Sequence, residues 1–369
     1  MNLVGLREYQ LILAIATLLL FMMLSAQSWD YAAYAQASPL VSTRGHFDTN
    51  TGKLKPGHNQ TDYNPPVHIP GLTAGTQCSP ELAIYVHGIW VGENSLEKPE
   101  EIFDRARESL EDLYSITLVG FSWDSDSPVT ANGSGWRTAK VIAENNGRKL
   151  ASFISELKDK CQQTDIRIIA HSMGARVVLS SLDELSKNRE WIESVHFMGA
   201  AVDDEQISMN PLDVDDRQNK VYGNAINATV GKFYNLFNTE DDILEYRNSF
   251  SDCVFPPDEC GELMYYFTYE QDYALGERGA AAISELNKPT NYEDIDVRDQ
   301  IPLIYDANMD GQFFGCDLPA FFGCLISETG DNHFGYVGFR DRPYEDSVDD
   351  TLRSNGAMDV IVRNWRGLP

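Results

Sequence analysis

The sequence predicts an α/β protein, a mostly parallel central sheet with helices on both faces. Apolar runs of strand length alternate with segments of helical period from Leu82 to Leu182. The runs are near-continuously apolar, as strands covered on both faces are, rather than alternating apolar and polar. The third observation is local. A strand opening at Asp165 passes through Ala170-His171-Ser172-Met173-Gly174 directly into an amphipathic helix reaching Leu182.

That last turn is demanding. A strand that reverses into a helix around a serine needs small residues two before and two after it, and Ala170 and Gly174 supply them. The hydroxyl is then held out at the carboxyl edge of the sheet, with the serine at the positive start of a helix dipole. Ser172 is therefore a candidate nucleophile.

The chain has 369 residues, 43% of them hydrophobic, enough for one large core or one domain with a sizeable insertion. Its formal charge of -27 disfavours a phosphate backbone, so nucleic acid is excluded as a partner; simple solubility explains the acidity. Arg7, the apolar run of residues 11–24 and Ala35-Gln36-Ala37 describe residues 1–37 as a secretory signal peptide, or as an uncleaved membrane anchor with 11–24 as its tether. Either reading makes the rest of the chain exported, secreted or held at the outer face of the membrane. Export favours pairing of the six cysteines. Closeness in sequence suggests Cys253 with Cys260 and Cys316 with Cys324. Asn59, Asn132 and Asn227 each open a glycosylation sequon.

Residues 38–78 are polar and carry Pro65-Pro66 and Pro70, which predicts an extended arm without a core of its own. The domain proper is expected over 79–369. Its first strand is 82–86, stopping at His87-Gly88-Ile89-Trp90. Helical spacing follows over 99–114, then a strand over 116–121 leading into Ser122-Trp123-Asp124. A long amphipathic helix is expected over 138–158, and a further buried strand over 195–202 ends at Asp203-Asp204. Residues 205–223 read as an acidic loop. The next strand, 232–237, runs into Asn238-Thr239-Glu240-Asp241-Asp242.

Residues 248–329 are expected to hold the last core helix and strand plus a disulfide-bearing insertion that could form part of a lid, with 274–283 helical. Within it, Asp306, Asn308, Asp310 and Asp317 fall at calcium-loop spacing, but Phe314 takes a usual ligand position and no flanking helix pair is evident. A turn rich in Asp and Asn is the expectation, and no metal is assigned. Gly330-Asp331-Asn332-His333-Phe334-Gly335 sets a histidine in a glycine-bounded loop, and 356–365 reads as a closing helix.

Taken together, His87-Gly88, Ala170-His171-Ser172-Met173-Gly174, the Asp241 loop and Asp331-Asn332-His333 resemble the α/β-hydrolase superfamily, most closely its lipase- and esterase-like serine hydrolases. The resemblance covers about residues 79 to 365. It implies a Ser172, Asp241, His333 triad in the chain order that this fold uses, with Asp242 and Asp203 as alternative acids. It implies an oxyanion hole from the N–H groups of Ile89 and Met173, and a pocket edged by His87, Gly88, Trp90, His171 and Trp123, with His87 bracing its loop. Because the strands ending at His87 and His171 are neighbours in such a sheet, it also implies a Cys78–Cys161 disulfide at the amino edge.

The implied activity is cleavage of a small carboxylic ester through an acyl-enzyme, with no cofactor. The same triad could act on amides or thioesters or transfer acyl groups. A non-catalytic surface protein on this scaffold is the reading from another class. Ala170 in place of the commoner glycine and the long segment between Asp241 and His333 depart from the family pattern.

Overall fold

The computed structural model describes residues 39–92, 98–128, 134–213, 220–241, 244, 273–281, 283–301, 333–342 and 352–368. Eight strands form one sheet: β1 (Leu40–Ser42), β2 (Asn64–Val67), β3 (Glu81–Val86), β4 (Thr117–Ser122), β5 (Asp165–His171), β6 (Ile192–Met198), β7 (Val230–Phe237) and β8 (Tyr292–Asp296). Their order is β2-β1-β4-β3-β5-β6-β7-β8. Every neighbouring pair is parallel except β1 with β2. A small antiparallel pair, β9 (Phe339–Arg342) and β10 (Leu352–Ser354), stands apart from that sheet.

The near-continuous apolar strands are explained by burial on both faces. Leu82, Ile84 and Val86 of β3 enter one core, while Ala83 and Tyr85 of the same strand enter another, the two-residue period of a pleated strand. The first core is closed by α2 (Ser134–Lys160) and α3 (Gly174–Asn188), whose Ile142, Phe153, Val177 and Leu182 are wholly buried. The second is closed by α1 (Pro99–Glu111) through Ile102, Phe103 and Leu110, and by the closing helix, Met358–Trp365, through Met358 and Ile361. Helices therefore cover both faces, as expected.

Three expectations need correction. Residues 38–78 are not an arm without a core. β1 pairs parallel with β4, β2 pairs with β1, and Val41, Phe47 and Ile69 are buried in the first core. The segment reads as polar because β1 and β2 are only three and four residues long and bury little, and the β4 partner of β1 lies far along the chain. The helix expected over 274–283 is a single turn, Leu275–Arg278, stopped at Gly279 with φ 68°. The strand expected over 195–202 runs from Ile192 to Met198 and ends where Gly199 turns to φ 54°.

The disulfide joins Cys78 to Cys161. These residues precede β3 and β5, which are hydrogen-bonded neighbours. The Cys253–Cys260 and Cys316–Cys324 pairs, the calcium-like residues Asp306, Asn308, Asp310 and Asp317, and the leader with its 11–24 tether lie outside the described residues.

Candidate active site

β5 ends at His171 and α3 starts at Gly174, so Ser172 and Met173 make the whole reversal. Ser172 has φ 53°. A left-handed conformation costs a residue with a side chain about 1–3 kcal/mol and persists only where its surroundings enforce it. Here the Ser172 N–H donates to the Met198 carbonyl at 3.0 Å, and the Ser172 carbonyl accepts from Ala175 at 3.1 Å and Ala201 at 3.2 Å. Gly174 is required because a Cβ there would fall 2.5 Å from the Val86 carbonyl oxygen and 2.7 Å from that of His87. A Cβ on Gly88 would lie 2.8 Å from the Ser172 Cβ, so the loop after β3 rests directly on the elbow.

His333 opens a short 3-10 turn, His333–Val337. Its Nδ1–H donates to Asp241 Oδ2 at 2.7 Å, with both residues buried. That bond fixes the tautomer and leaves Nε2 as the basic nitrogen. Asp241 is itself held, its Oδ1 accepting from the Leu244 N–H at 3.1 Å and its own N–H donating to the Asn238 carbonyl at 3.1 Å. Gly199 makes room: a Cβ there would meet Asp241 Oδ2 at 3.2 Å and the Tyr336 ring at 2.8 Å. Neither Gly199 nor Tyr336 was given a role by the sequence; a glycine immediately after a buried strand is the signal that could have found the first.

His171 joins the two halves. Its Nε2–H donates to the His333 carbonyl at 2.9 Å, and the two ring centroids are 4.8 Å apart. Burial, reinforced by the neighbouring His333, depresses the His171 pKa well below its ordinary value, so this ring is neutral. His87 is wholly buried and likewise held neutral by burial, with the charge on Arg44 adding to the effect. Its Nδ1–H donates to the Gly88 carbonyl at 2.8 Å, while Nε2 accepts the Trp123 N–H at 3.2 Å. The Trp123 indole returns a bond to the His87 carbonyl at 2.9 Å, and the two rings stack.

His87 and Trp123 thus have no exposed surface, and the expectation that they edge a pocket is corrected: they support the loop from behind. Ile89 and Trp90 are each 7% exposed, and Met173 is buried. Asp203 has a different partner. It pairs with Arg176 at 3.2 Å, and although burial works to raise its pKa, Arg176 and more distant Lys140 hold it below the usual carboxylate value. Asp242 lies outside the described residues.

Among the described residues one further cluster, His46, His58 and Asp62, has ligand atoms close enough to share a metal ion. The wholly buried Lys149 already supplies its cation. Its ammonium donates to Asp62, to His46 Nδ1 at 3.0 Å and to the Asn59 carbonyl at 2.5 Å. A divalent ion there would face a fixed positive charge at contact distance.

A mostly parallel sheet covered on both faces, with a strained serine between strand and helix at its carboxyl edge, is the α/β-hydrolase fold. Residues 76–230 match the family model described as "Alpha/beta hydrolase of unknown function (DUF900)", the stretch from just before β3 to the start of β7. No curated protein matches the chain. A solved structure described as a novel cutinase-like protein from Cryptococcus sp. is similar at 13% identity and a TM-score of 0.23. The match covers 38% of this chain and 60% of that one, so the chain spans about three fifths of that neighbour's length.

Proposed function

We propose that this hydrolase is a serine esterase, cleaving a small carboxylic ester through an acyl-enzyme. Ser172 attacks the carbonyl, His333 Nε2 takes its proton and returns it to the leaving alkoxide, and Asp241 stabilises the imidazolium formed between. The N–H groups of Ile89 and Met173 receive the oxyanion, and water then releases the acid. The observation that carries this reading is the 2.7 Å bond between His333 and Asp241, on a turn tied through His171 to the strained elbow at Ser172. All of the chemistry is acid–base and nucleophilic, so the mechanism invokes no cofactor. Export is part of the proposal; the apolar leader and the Cys78–Cys161 bond support it.

The test is a panel of p-nitrophenyl esters with purified protein, alongside labelling by a fluorophosphonate. Turnover and labelling of the wild type, both lost in Ser172→Ala with an unchanged melting curve, are expected. A wild type that does neither sinks the catalytic reading and leaves a surface protein on this scaffold. Faster turnover of amides, thioesters or acyl acceptors than of esters would replace the bond but keep the triad.

A further inference from the structure

The loop that carries the proposed oxyanion donor is held by residues outside the triad. Trp90, immediately after Ile89, has φ 58°. A bulky residue in that region is an outlier that only its surroundings can enforce. The enforcing contacts come from two remote segments. From the loop after β4, the Ser125 carbonyl accepts the Trp90 N–H at 2.8 Å. Its hydroxyl accepts the Val91 N–H at 3.2 Å and donates to the Val91 carbonyl at 2.9 Å. From the segment after β1, the Arg44 guanidinium donates to that same Val91 carbonyl, and its Nε donates to Ser122 Oγ at 2.7 Å. The Arg44 loop is fixed in turn by the buried Asp124, whose two carboxylate oxygens accept the Gly45 and Phe47 N–H groups, each at 2.7 Å.

We propose that Arg44 and Ser125 are positioning residues for catalysis: by gripping both sides of Val91 they hold Trp90 in its strained conformation and so aim the Ile89 N–H at the oxyanion. This rests on the esterase reading above. Without the grip, Trp90 relaxes to negative φ, the peptide planes of residues 88–91 turn, and the donor leaves its position. Losing an oxyanion donor outright costs about 100- to 1,000-fold in kcat; misaiming one costs less.

The test measures kcat and KM for ester hydrolysis in Arg44→Ala, Arg44→Lys and Ser125→Ala, with active sites titrated by fluorophosphonate and melting curves recorded. The expected result is a fall in kcat of about 30-fold for Arg44→Ala and about 5-fold for Ser125→Ala, below the donor-loss range. KM should stay within about twofold, and the pH profile should be unmoved because His333 and Asp241 are untouched. Arg44→Lys should recover only part, since a lysine cannot reach Ser122 Oγ and the Val91 carbonyl together. Should Arg44→Ala fail to fold, Ser125→Ala, a change of one oxygen atom, still decides the matter. Variants with kcat within twofold of an active wild type, or with a shifted pH profile, overturn the positioning role alone. A wild type that neither turns over nor takes the label overturns the esterase reading and this inference with it.

Discussion

Asp203 and Asp241 follow neighbouring strands, β6 and β7, and each is only 1% exposed. In the proposed mechanism they do opposite work. Asp203 faces the guanidinium of Arg176, a group charged at any working pH, which also donates to the Ala201 carbonyl at 2.9 Å and to Gln206 at 3.3 Å. Asp241 faces an imidazole, whose charge comes and goes. A permanent pair is a structural tie beneath the elbow helix. A carboxylate beside a titratable ring can stabilise a charge that exists only during reaction. The partner, not the burial, separates the two roles.

The largest effect should come from Asp241→Asn. The amide no longer selects the Nδ1–H tautomer of His333, and kcat for ester hydrolysis should fall about 10,000-fold with the melting temperature little changed. Asp203→Asn should do the reverse. It leaves the buried Arg176 with the exposed Glu144, at 3.7 Å, as its only counter-charge among the described residues. That should cost about 3 kcal/mol in denaturant unfolding, while each folded molecule keeps its turnover within a few-fold. Replacing both members of that pair by apolar residues of similar volume should recover most of the loss. If Asp203→Asn instead abolished turnover in a fully stable protein, the assignment of the two acids would have to be exchanged.

Asp62 extends the comparison to a third kind of partner. Burial works against its charged form, yet hydrogen bonds from Lys149 and His58 bring its pKa down to about 2 from 3.8. A depressed carboxylate contributes stability that is present above its unfolded pKa and is lost as pH falls through the folded one. Unfolding free energies taken between pH 5 and 2 should therefore decline by about 2 kcal/mol more in the wild type than in Asp62→Asn.

An effect of similar size concerns His196. Burial, with Arg167 nearby, lowers its pKa to about 3. The unfolded chain takes up a proton near pH 6.5 that the folded one refuses, so stability falls as pH drops below that value. His196→Phe should flatten the slope of melting temperature against pH between 6.5 and 4.5, an effect of at most about 1.4 kcal/mol per pH unit.

Much of this could be read in the chain. The parallel sheet, the elbow at Ser172 and the succession of strands β3 to β7 along the chain were legible because each is written in a contiguous run: apolar residues at strand length, small residues two before and two after a serine. Asp241 and Asp203 could both be nominated from where their strands end. Asp241 was the first choice, and it is the carboxylate bonded to His333. What the sequence did not show is why Asp203 is engaged elsewhere, because the pull of Arg176 depends on where the first turn of α3 points. The failure at residues 38–78 has the same origin. Val41 joins the sheet through β4, some eighty residues later, and nothing local announces that pairing.

What the sequence alone determined, then, is the class of fold, the strained turn and the residue types available at the carboxyl edge of the sheet, since propensity, apolar period and steric allowance act over a few neighbouring residues. Tertiary structure alone decided which acid meets which base, that Lys149 fills the one cluster with ligand-like geometry among the described residues, and that Arg44 reaches the loop beside Ile89. Those outcomes are contests between groups distant in sequence, and only their distances in the folded chain settle them.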